Sequence, residues 1–471
     1  MADLVARLWS FCHVLRHDGI DYGDYIEELT YLLFLKMADE RDVNLPAGSA
    51  WPDLIAAEDE DLLPQYRSAL QRLGEEGGIL GEIFRSARTG LGNSENLRKL
   101  LQLIDEMQWT ALNVDVKAAA FEGLLEKAAA EGKRGAGQYF TPRPLIKVMV
   151  RLMKPDPREA EDFKVMDPAC GTGGFLVAAY EWFASQVGGT LPSHIARRVR
   201  ERTYFGTELV QRPRRLALMN MFLHQVQPHI ELKDAIYGAV GPRKYTVVLT
   251  NPPFGNKGIA GSPTRSDFSV ATSSKQLNFL QHVLTILEPD GRAAVVIPDN
   301  VLFADQAGEV FRSLMEAADV HTLLRCPRGT FNPYTDGTNT NVLFFTKGRS
   351  TKDVWIYDAR SDVPKINKTS RPLTEDLFRE FEACYGDDPN GTSKRSSKAS
   401  KQGRWRPFSI DEVRQNDFKL DSFKWMGEQV LGETEGRRPD EFIEEAIVQL
   451  QASMQNLAEI DRLLTEFEAA T

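Results

Sequence analysis

Apolar residues in the first part of the chain return every three or four positions. Leu8, Phe11 and Leu15, then Tyr25, Ile26, Leu29, Leu32, Leu33 and Leu35, are separated by polar positions such as Glu28, Lys36, Asp39 and Arg41. That period is the helical one. Segments 97–107 and 118–130 repeat it, and no strand-like alternation interrupts them. Residues 1–130 are therefore expected to form an all-α domain. The pattern does not state its role; a packing or interaction module is the plain expectation.

The pattern changes at 131. Residues 131–144 are rich in breakers, with glycines and prolines close together, and read as a loop. Thr141-Pro142 reads as an N-cap and first helical position, opening a helix over 145–153. Short apolar runs then follow at 163–166, 203–207, 230–233, 245–249, 291–298, 320–325 and 340–346, with helical segments between them at 176–186 and 277–287. Strands alternating with helices predict an α/β domain over 131–384, a doubly wound and mostly parallel sheet of seven strands. Residues 385–405 turn polar and Gly/Ser-rich, as a flexible basic linker would. A mixed segment leads to a last helix over 439–470, within a C-terminal segment 406–471. There Phe442, Ile443, Ile447, Leu450, Met454, Leu457 and Ile460 fall mostly at three- and four-residue steps. This predicts a coiled-coil-like helix, long enough to serve a partner.

Candidate chemistry collects at the predicted strand ends. The run 245–249 meets Asn251-Pro252-Pro253-Phe254. Two prolines lack N–H donors and turn the chain out at the carboxyl edge of the sheet, where such sheets hold ligands. An amide oxygen and a prolyl carbonyl can accept the two N–H bonds of a planar amine, and an exposed Phe254 ring can stack on a base. The first strand enters Asp167-Pro168-Ala169-Cys170-Gly171-Thr172-Gly173-Gly174-Phe175. Neither a phosphate-cradling GxxxxGK[ST] nor a dinucleotide GxGxxG matches it. The acidic entry repels phosphate and suits an ammonium, which points to an amino-acid-bearing nucleoside such as S-adenosylmethionine. Glu208, at the end of the second strand, suits ribose hydroxyls, and Asp234, after the third, an adenine amine. In the loop 255–274, Lys257 and Arg265, with Lys275 beyond, are candidate phosphate contacts. Phe331 and Tyr334 could sandwich a base or simply pack their loop.

Bulk properties narrow the field. A chain of 471 residues allows two or three domains. Its net charge of −10 argues against a self-sufficient nucleic-acid binder with a uniformly basic face. Cys12, Cys170, Cys326 and Cys384 are scattered without a CxxC pair, which speaks against a metal site and fits a reducing cytoplasm. No apolar run approaches a membrane span, and His13, Arg16 and Asp18 break up any signal-like segment.

The ordered set Gln138-Tyr139-Phe140-Thr141-Pro142-Arg143, Asp167 to Phe175, Glu208, Asp234, Asn251 to Phe254 and 329–345 resembles the N6-adenine DNA methyltransferases. More closely it is similar to the methylation subunits of type I restriction–modification systems, over nearly the whole chain. The resemblance implies S-adenosylmethionine as cofactor. Gln138, Tyr139, Phe140, Thr141, Pro142 and Arg143 would lie against its methionine end. Asp167, Ala169, Gly171, Thr172, Gly173 and Gly174 would line the cofactor loop. Glu208 would hold the ribose and Asp234 the adenine. Asn251 and Pro252, followed by Pro253 and with Phe254 stacked, would orient the N6 of an adenine flipped from double-stranded DNA. It further implies assembly of two such subunits with one specificity subunit that reads the DNA, with or without a nuclease–translocase subunit. Consistently, the chain has no P-loop, and only about 120 residues follow the seventh strand. Thr172 stands where many relatives have Ser. Three other readings stay open at this stage: a self-contained nucleic-acid adenine methyltransferase, a protein glutamine methyltransferase that uses the same Asn-Pro-Pro-aromatic run, and a catalytically silent scaffold.

Overall fold

The computed structural model describes residues 22–109, 141–254, 261–331, 338–360, 365–367, 371–400 and 403–420. Gln138, Tyr139, Phe140, Lys257, Tyr334 and the helix expected over 439–470 lie outside them, as do residues 1–21 and 118–130. The described residues up to Lys419 belong to one compact unit.

The helical expectation holds across 22–109, where no strand occurs among the described residues. Helix α1 (Tyr22–Asp39) is buried on most sides, with Tyr25, Leu29, Leu32, Phe34 and Leu35 at 0–1% exposure. Helices α2 (Trp51–Ala56), α3 (Asp59–Glu75), α4 (Gly78–Phe84) and α5 (Ser94–Asp105) complete this part. Asn93 caps α5, its side chain accepting from the Asn96 amide at 2.8 Å.

Helix α6 (Arg143–Met153) then leads into β1 (Val165–Asp167), α7 (Gly174–Gln186), α8 (Ser193–Arg202), β2 (Tyr204–Glu208), α9 (Gln211–Leu223), β3 (His229–Leu232) and β4 (Tyr245–Thr250). Next come α10 (Lys275–Ile286), β5 (Leu287–Pro298), α11 (Ala307–Ala317), β6 (Ala318–Arg325), β7 (Thr340–Lys347), β8 (Asp353–Asp358), α12 (Arg379–Tyr385), β9 (Trp405–Ser409) and α13 (Ile410–Gln415). The strands form one sheet in the order β3-β2-β1-β4-β5-β7-β6-β8-β9. From β3 to β5 all pairings are parallel, whereas β7 runs antiparallel between β5 and β6. Central strands buried on both faces must be apolar throughout, and Val247, Val248, Leu249, Val295 and Val296 are all fully buried. No helix among the described residues is long and apolar enough to cross a membrane.

The sheet has nine strands among the described residues rather than the expected seven. Strand β8 pairs parallel with β6, and β9 antiparallel with β8. Strand β9 carries Pro407 on the sheet edge, where its missing N–H costs no ladder bond. The stretch expected as a flexible linker, 385–405, is correspondingly folded over most of its length. The Arg395 guanidinium lies 5.0 Å from the Tyr385 ring centroid and 5.5 Å from that of Trp405, and it donates to the His321 carbonyl at 2.9 Å. Asp388 organises a turn by accepting from the Thr392 amide at 2.8 Å and the Asn390 amide at 3.3 Å. Gly391, at φ +73°, lies so close to the His321 ring that a Cβ there would come within 2.4 Å of it. Asp388 and Arg395 thus bond within the stretch and to the sheet, while Lys394, Ser396, Ser397 and Lys398 stay exposed.

One buried ionic knot ties the ends of β5, β6, β7 and β8 together. Arg360 donates to Asp299 at 2.7 and 2.8 Å, to the Thr340 carbonyl at 2.8 Å and to the Cys326 carbonyl at 3.1 Å. Asn341 donates to Asp299 at 2.8 Å. Burial alone would raise the Asp299 carboxyl, but the Arg360 charge and hydrogen bonds outweigh it and hold it below its usual range. Asp299→Ala leaves the Arg360 guanidinium buried without its partner and is expected to cost about 3–5 kcal/mol. Urea unfolding of the two proteins measures that loss, and a difference within error of zero would show that the knot is not needed for stability.

Candidate active site

The sheet topology decides where the predicted residues meet. After β1 the chain moves outward to β2 and β3, then returns to β4 on the other side of β1. The carboxyl ends of β1 and β4 therefore diverge and leave a crevice between them. Asp167 ends β1, Glu208 ends β2, Asp234 follows β3, and Asn251 follows β4. All four stand on one edge, as the strand reading expects.

Asp167 is 1% exposed. Its Oδ1 accepts from the Thr250 hydroxyl at 2.7 Å and from the Ala169 amide at 3.0 Å. Thr250 immediately precedes Asn251, so this bond joins the strand that enters the glycine loop to the strand bearing Asn-Pro-Pro. Burial, helped by the charge of Glu208, pushes the Asp167 carboxyl up to about 7 despite those two hydrogen bonds. The loop beyond it turns through Gly171 at φ +53° and Gly173 at φ +81°, backbone conformations that suit glycine. A Cβ on Gly173 would lie 3.2 Å from that of Ala217 on α9, whereas one on Gly171 would meet open space. Burial also holds the Cys170 thiol protonated, well above its usual range, so it is no nucleophile.

Glu208 fastens the glycine loop. Its Oε2 accepts from the Gly171 amide at 3.0 Å and its Oε1 from the Val210 amide at 2.9 Å. Each carboxylate oxygen has a second lone pair, so these bonds leave Glu208 acceptor capacity. Asp234 Oδ1 accepts from the Ile236 and Tyr237 amides at 2.8 and 2.9 Å, which closes a turn. Asn220, on α9, donates to the Thr172 carbonyl at 3.4 Å.

At the β4 end, Asn251 Nδ2 donates to the Thr141 hydroxyl at 2.8 Å. Its Oδ1 is buried without a hydrogen-bond partner among the described residues. The Pro253 carbonyl accepts from Gln276 at 3.3 Å. Helix α6 begins at Arg143 with Pro142 at the cap position and no side-chain capping bond. The expected N-cap role of Thr141 is thus corrected: its hydroxyl serves Asn251 instead. Arg143 is ion-paired with Glu181 on α7. Burial raises the Glu181 carboxyl, but the His224 hydrogen bond and the Arg143 charge outweigh it and lower it.

Two other expectations change. The sequence predicts an exposed Phe254, yet it is only 7% exposed and meets the Phe331 ring edge-on, with centroids 5.6 Å apart. The side chain of the expected phosphate contact Arg265 is only 7% exposed. It donates to Asp267 at 3.0 and 2.5 Å and to the Ala235 carbonyl at 2.9 Å, and its guanidinium lies 4.0 Å from the Phe268 ring centroid. Instead of reaching outward, it pins the loop after Asn-Pro-Pro-Phe to the turn made by Asp234. Sequence reasoning misses Thr250, Asn220 and Gln276. The last two sit on helix faces that periodicity assigns only to packing.

The N-6 DNA Methylase family matches residues 113–433, and the HsdM N-terminal domain matches residues 4–107. The chain is 38% identical over 522 residues to the type I restriction enzyme StySJI methylase subunit of Salmonella typhimurium strain LT2, covering 99% of this chain and 96% of that one. It is similar to the crystal structure of the type I restriction enzyme EcoKI M protein, with 34% identity, a TM-score of 0.55, and coverage of 99% of this chain and 96% of that chain. That enzyme's methylase subunit comes from Escherichia coli strain K12. A chain from a structural study of complex assembly and conformational transition of the type I R-M system aligns with a TM-score of 0.74 and 26% identity, over 98% of both chains.

The raised Asp167 carboxyl sets a pH dependence. From its ordinary 3.8 up to about 7, only the unfolded chain ionises at this position, so the folded state loses stability as pH rises through that window. Asn in its place cannot ionise and keeps the acceptor for Thr250. The melting temperature of Asp167→Asn relative to the parent is therefore expected to climb from about pH 4 to about pH 7 and then level off. A difference independent of pH would mean that Asp167 titrates in its ordinary range.

Proposed function

The chain belongs to the N-6 DNA methylases and, within them, to the methylase subunits of type I restriction enzymes, and on that premise we propose how its residues carry out the reaction. It is an adenine-specific N6 DNA methyltransferase. The observation that carries the reading is the Asn251 amide. One end is tied by Thr141, while the other, Oδ1, is a buried acceptor without a partner among the described residues. An unpaired buried acceptor is costly, and an amine entering the crevice relieves that cost.

We assign the cofactor as S-adenosylmethionine, which supplies an electrophilic methyl group. The donor set suits it. Asp167 is an acidic group at the mouth of a phosphate-repelling glycine loop. Glu208 keeps acceptor capacity for ribose hydroxyls, and Asp234 stands one strand further along for the adenine amine. Ala169, Gly171, Thr172, Gly173 and Gly174 line the loop between them. Gln138, Tyr139, Phe140, Thr141, Pro142 and Arg143 belong on the methionine side of the same reading.

The target adenine leaves its stack and enters the crevice. Its N6 donates to Asn251 Oδ1 and to the Pro252 carbonyl. These two acceptors draw the N–H hydrogens out of the ring plane, so that the nitrogen becomes more tetrahedral and its lone pair leaves conjugation with the ring, an effect strongest in the transition state. Pro253 keeps the turn rigid. Phe254, backed by Phe331, offers the base an aromatic wall. No covalent enzyme intermediate is needed; orientation and acceptors do the work.

Reading of the DNA sequence is delegated. With a net charge of −10, the chain gains its duplex-binding surface from a specificity subunit, with two methylase subunits to each. A restriction–translocase subunit is a further partner in cytoplasmic complexes of this kind. The test supplies radiolabelled S-adenosylmethionine and DNA to the chain alone and with its co-encoded specificity subunit. Label on adenine N6 only in the mixture is expected, and Asn251→Ala should abolish it while leaving assembly and cofactor binding intact. Label with the chain alone favours a self-contained enzyme. Label on protein glutamine overturns the DNA reading.

A further inference from the structure

The turn that follows Asn251 offers little for the rest of the protein to grip. Prolines lack the N–H that commonly ties a turn down, so at Pro252 and Pro253 only the carbonyls can be held. The Pro252 carbonyl is reserved for the target amine. The Pro253 carbonyl is the one that remains, and it accepts from Gln276 Nε2 at 3.3 Å. This contact has one sense, since a carbonyl only accepts and an amide nitrogen only donates.

We propose that Gln276 is a positioning residue for methyl transfer, its grip on the Pro253 carbonyl fixing where the Pro252 carbonyl and the Phe254 ring point. The proposal rests on the reading of Asn251 and Pro252 as acceptors for adenine N6. Both proline rings fix φ, so the segment swings nearly as one stiff piece from the end of β4. One bond at its far end stops that swing. The peptide group it holds is the one that leads into Phe254, so the aromatic wall is set by the same contact.

The mount of Gln276 is stiff. It lies in the first turn of α10 at 5% exposure, on a helix whose Leu277, Leu280 and Val283 are fully buried. The same helix carries two more buried amides, Asn278 at 1% and Gln281 at 5% exposure. A buried amide is costly unless it is hydrogen-bonded. All three bond to the chain that runs on from Asn251. Asn278 donates to the Thr272 carbonyl at 2.8 Å, and Gln281 donates to the Val270 carbonyl at 3.0 Å while accepting from the Val270 amide at 2.9 Å. Helix α10 is thus a rack of amides that holds the turn at one end and the returning loop at the other. The glycine loop is held from elsewhere, by Glu208 of β2 and Asn220 of α9.

Gln276→Met keeps the length and removes the donor. Gln276→Glu keeps the shape but sets an acceptor against the carbonyl until its carboxyl is protonated and can donate. Both are assayed in the complex with the specificity subunit. For Gln276→Met the single-turnover rate of methyl transfer is expected to fall by about ten- to a hundredfold, the scale of a misplaced reacting group. The calorimetric Kd for S-adenosylmethionine is expected to stay near that of the parent. The rate of Gln276→Glu relative to the parent is expected to climb as pH falls from about 9 to about 5, through the range of a buried carboxyl. The same ratio for Gln276→Met should stay level, a separation that lost packing alone would not produce. A parent-like rate for Gln276→Met overturns the proposal, as does a Kd weakened in proportion to the lost rate. A level ratio for Gln276→Glu overturns it too, and decides the matter if Gln276→Met fails to assemble. If the parent complex itself places no methyl on adenine N6, the reading of the site fails independently of Gln276.

Discussion

A single buried hydrogen bond, from the Thr250 hydroxyl to Asp167 at 2.7 Å, joins the two halves of the site. The crevice exists because β1 and β4 are neighbours whose chains leave the sheet in opposite directions, and nothing in strand pairing alone sets the distance between their last side chains. Thr250 does so from within the strand, one residue before Asn251. Placing a carboxyl there is unfavourable, since burial pushes it up to about 7.

The remaining contacts extend that junction outward. Glu208 carries the glycine loop to β2, Asn220 and Ala217 carry it to α9, and Thr141 carries Asn251 back to α6. On the far side, the Arg360–Asp299 knot holds the ends of β5 through β8, whose loops support Phe331 behind Phe254. The site is thus assembled from strand ends, yet held in place almost entirely by side chains reaching to groups of other elements.

Strand-end polar groups are legible in the sequence because an Asp, Glu or Asn at the end of a β-branched run is out of place as packing. Asp167, Glu208, Asp234 and Asn251 all announce themselves in that way. Thr250 does not, since threonine is an ordinary strand former and its hydroxyl leaves no mark on the pattern. Arg265 misleads because a cation in a polar loop looks solvated until the fold supplies Asp267 and two carbonyls around it. Residues 385–405 mislead for a related reason. Composition counts polar groups but does not say where their hydrogen bonds go, and here Asp388 accepts from the Asn390 and Thr392 amides while Arg395 donates to the Tyr385 and His321 carbonyls. Strand β9 escapes the pattern because it contains a proline, whereas β8, with Val354, Trp355, Ile356 and Tyr357 in succession, is an apolar run that the sequence reading passes over.

Helix α9 belongs to both parts of the molecule. Arg212 pairs with Asp24 and Glu27, and Arg214 with Glu82, while Arg215 donates to the carbonyls of Ile83 at 2.7 Å and Arg85 at 2.9 Å. The opposite side of the same helix touches the glycine loop through Ala217 and Asn220. The natural seam for exchanging parts between homologues therefore does not fall between the helical region and the sheet. A chimera that brings in a foreign helical region must bring α9 with it, or its new acidic partners will face arginines selected for others. Divergence along the lineage should accordingly leave Asp24, Glu27, Glu82 and the α9 arginines changing together, as a block, rather than each at its own pace.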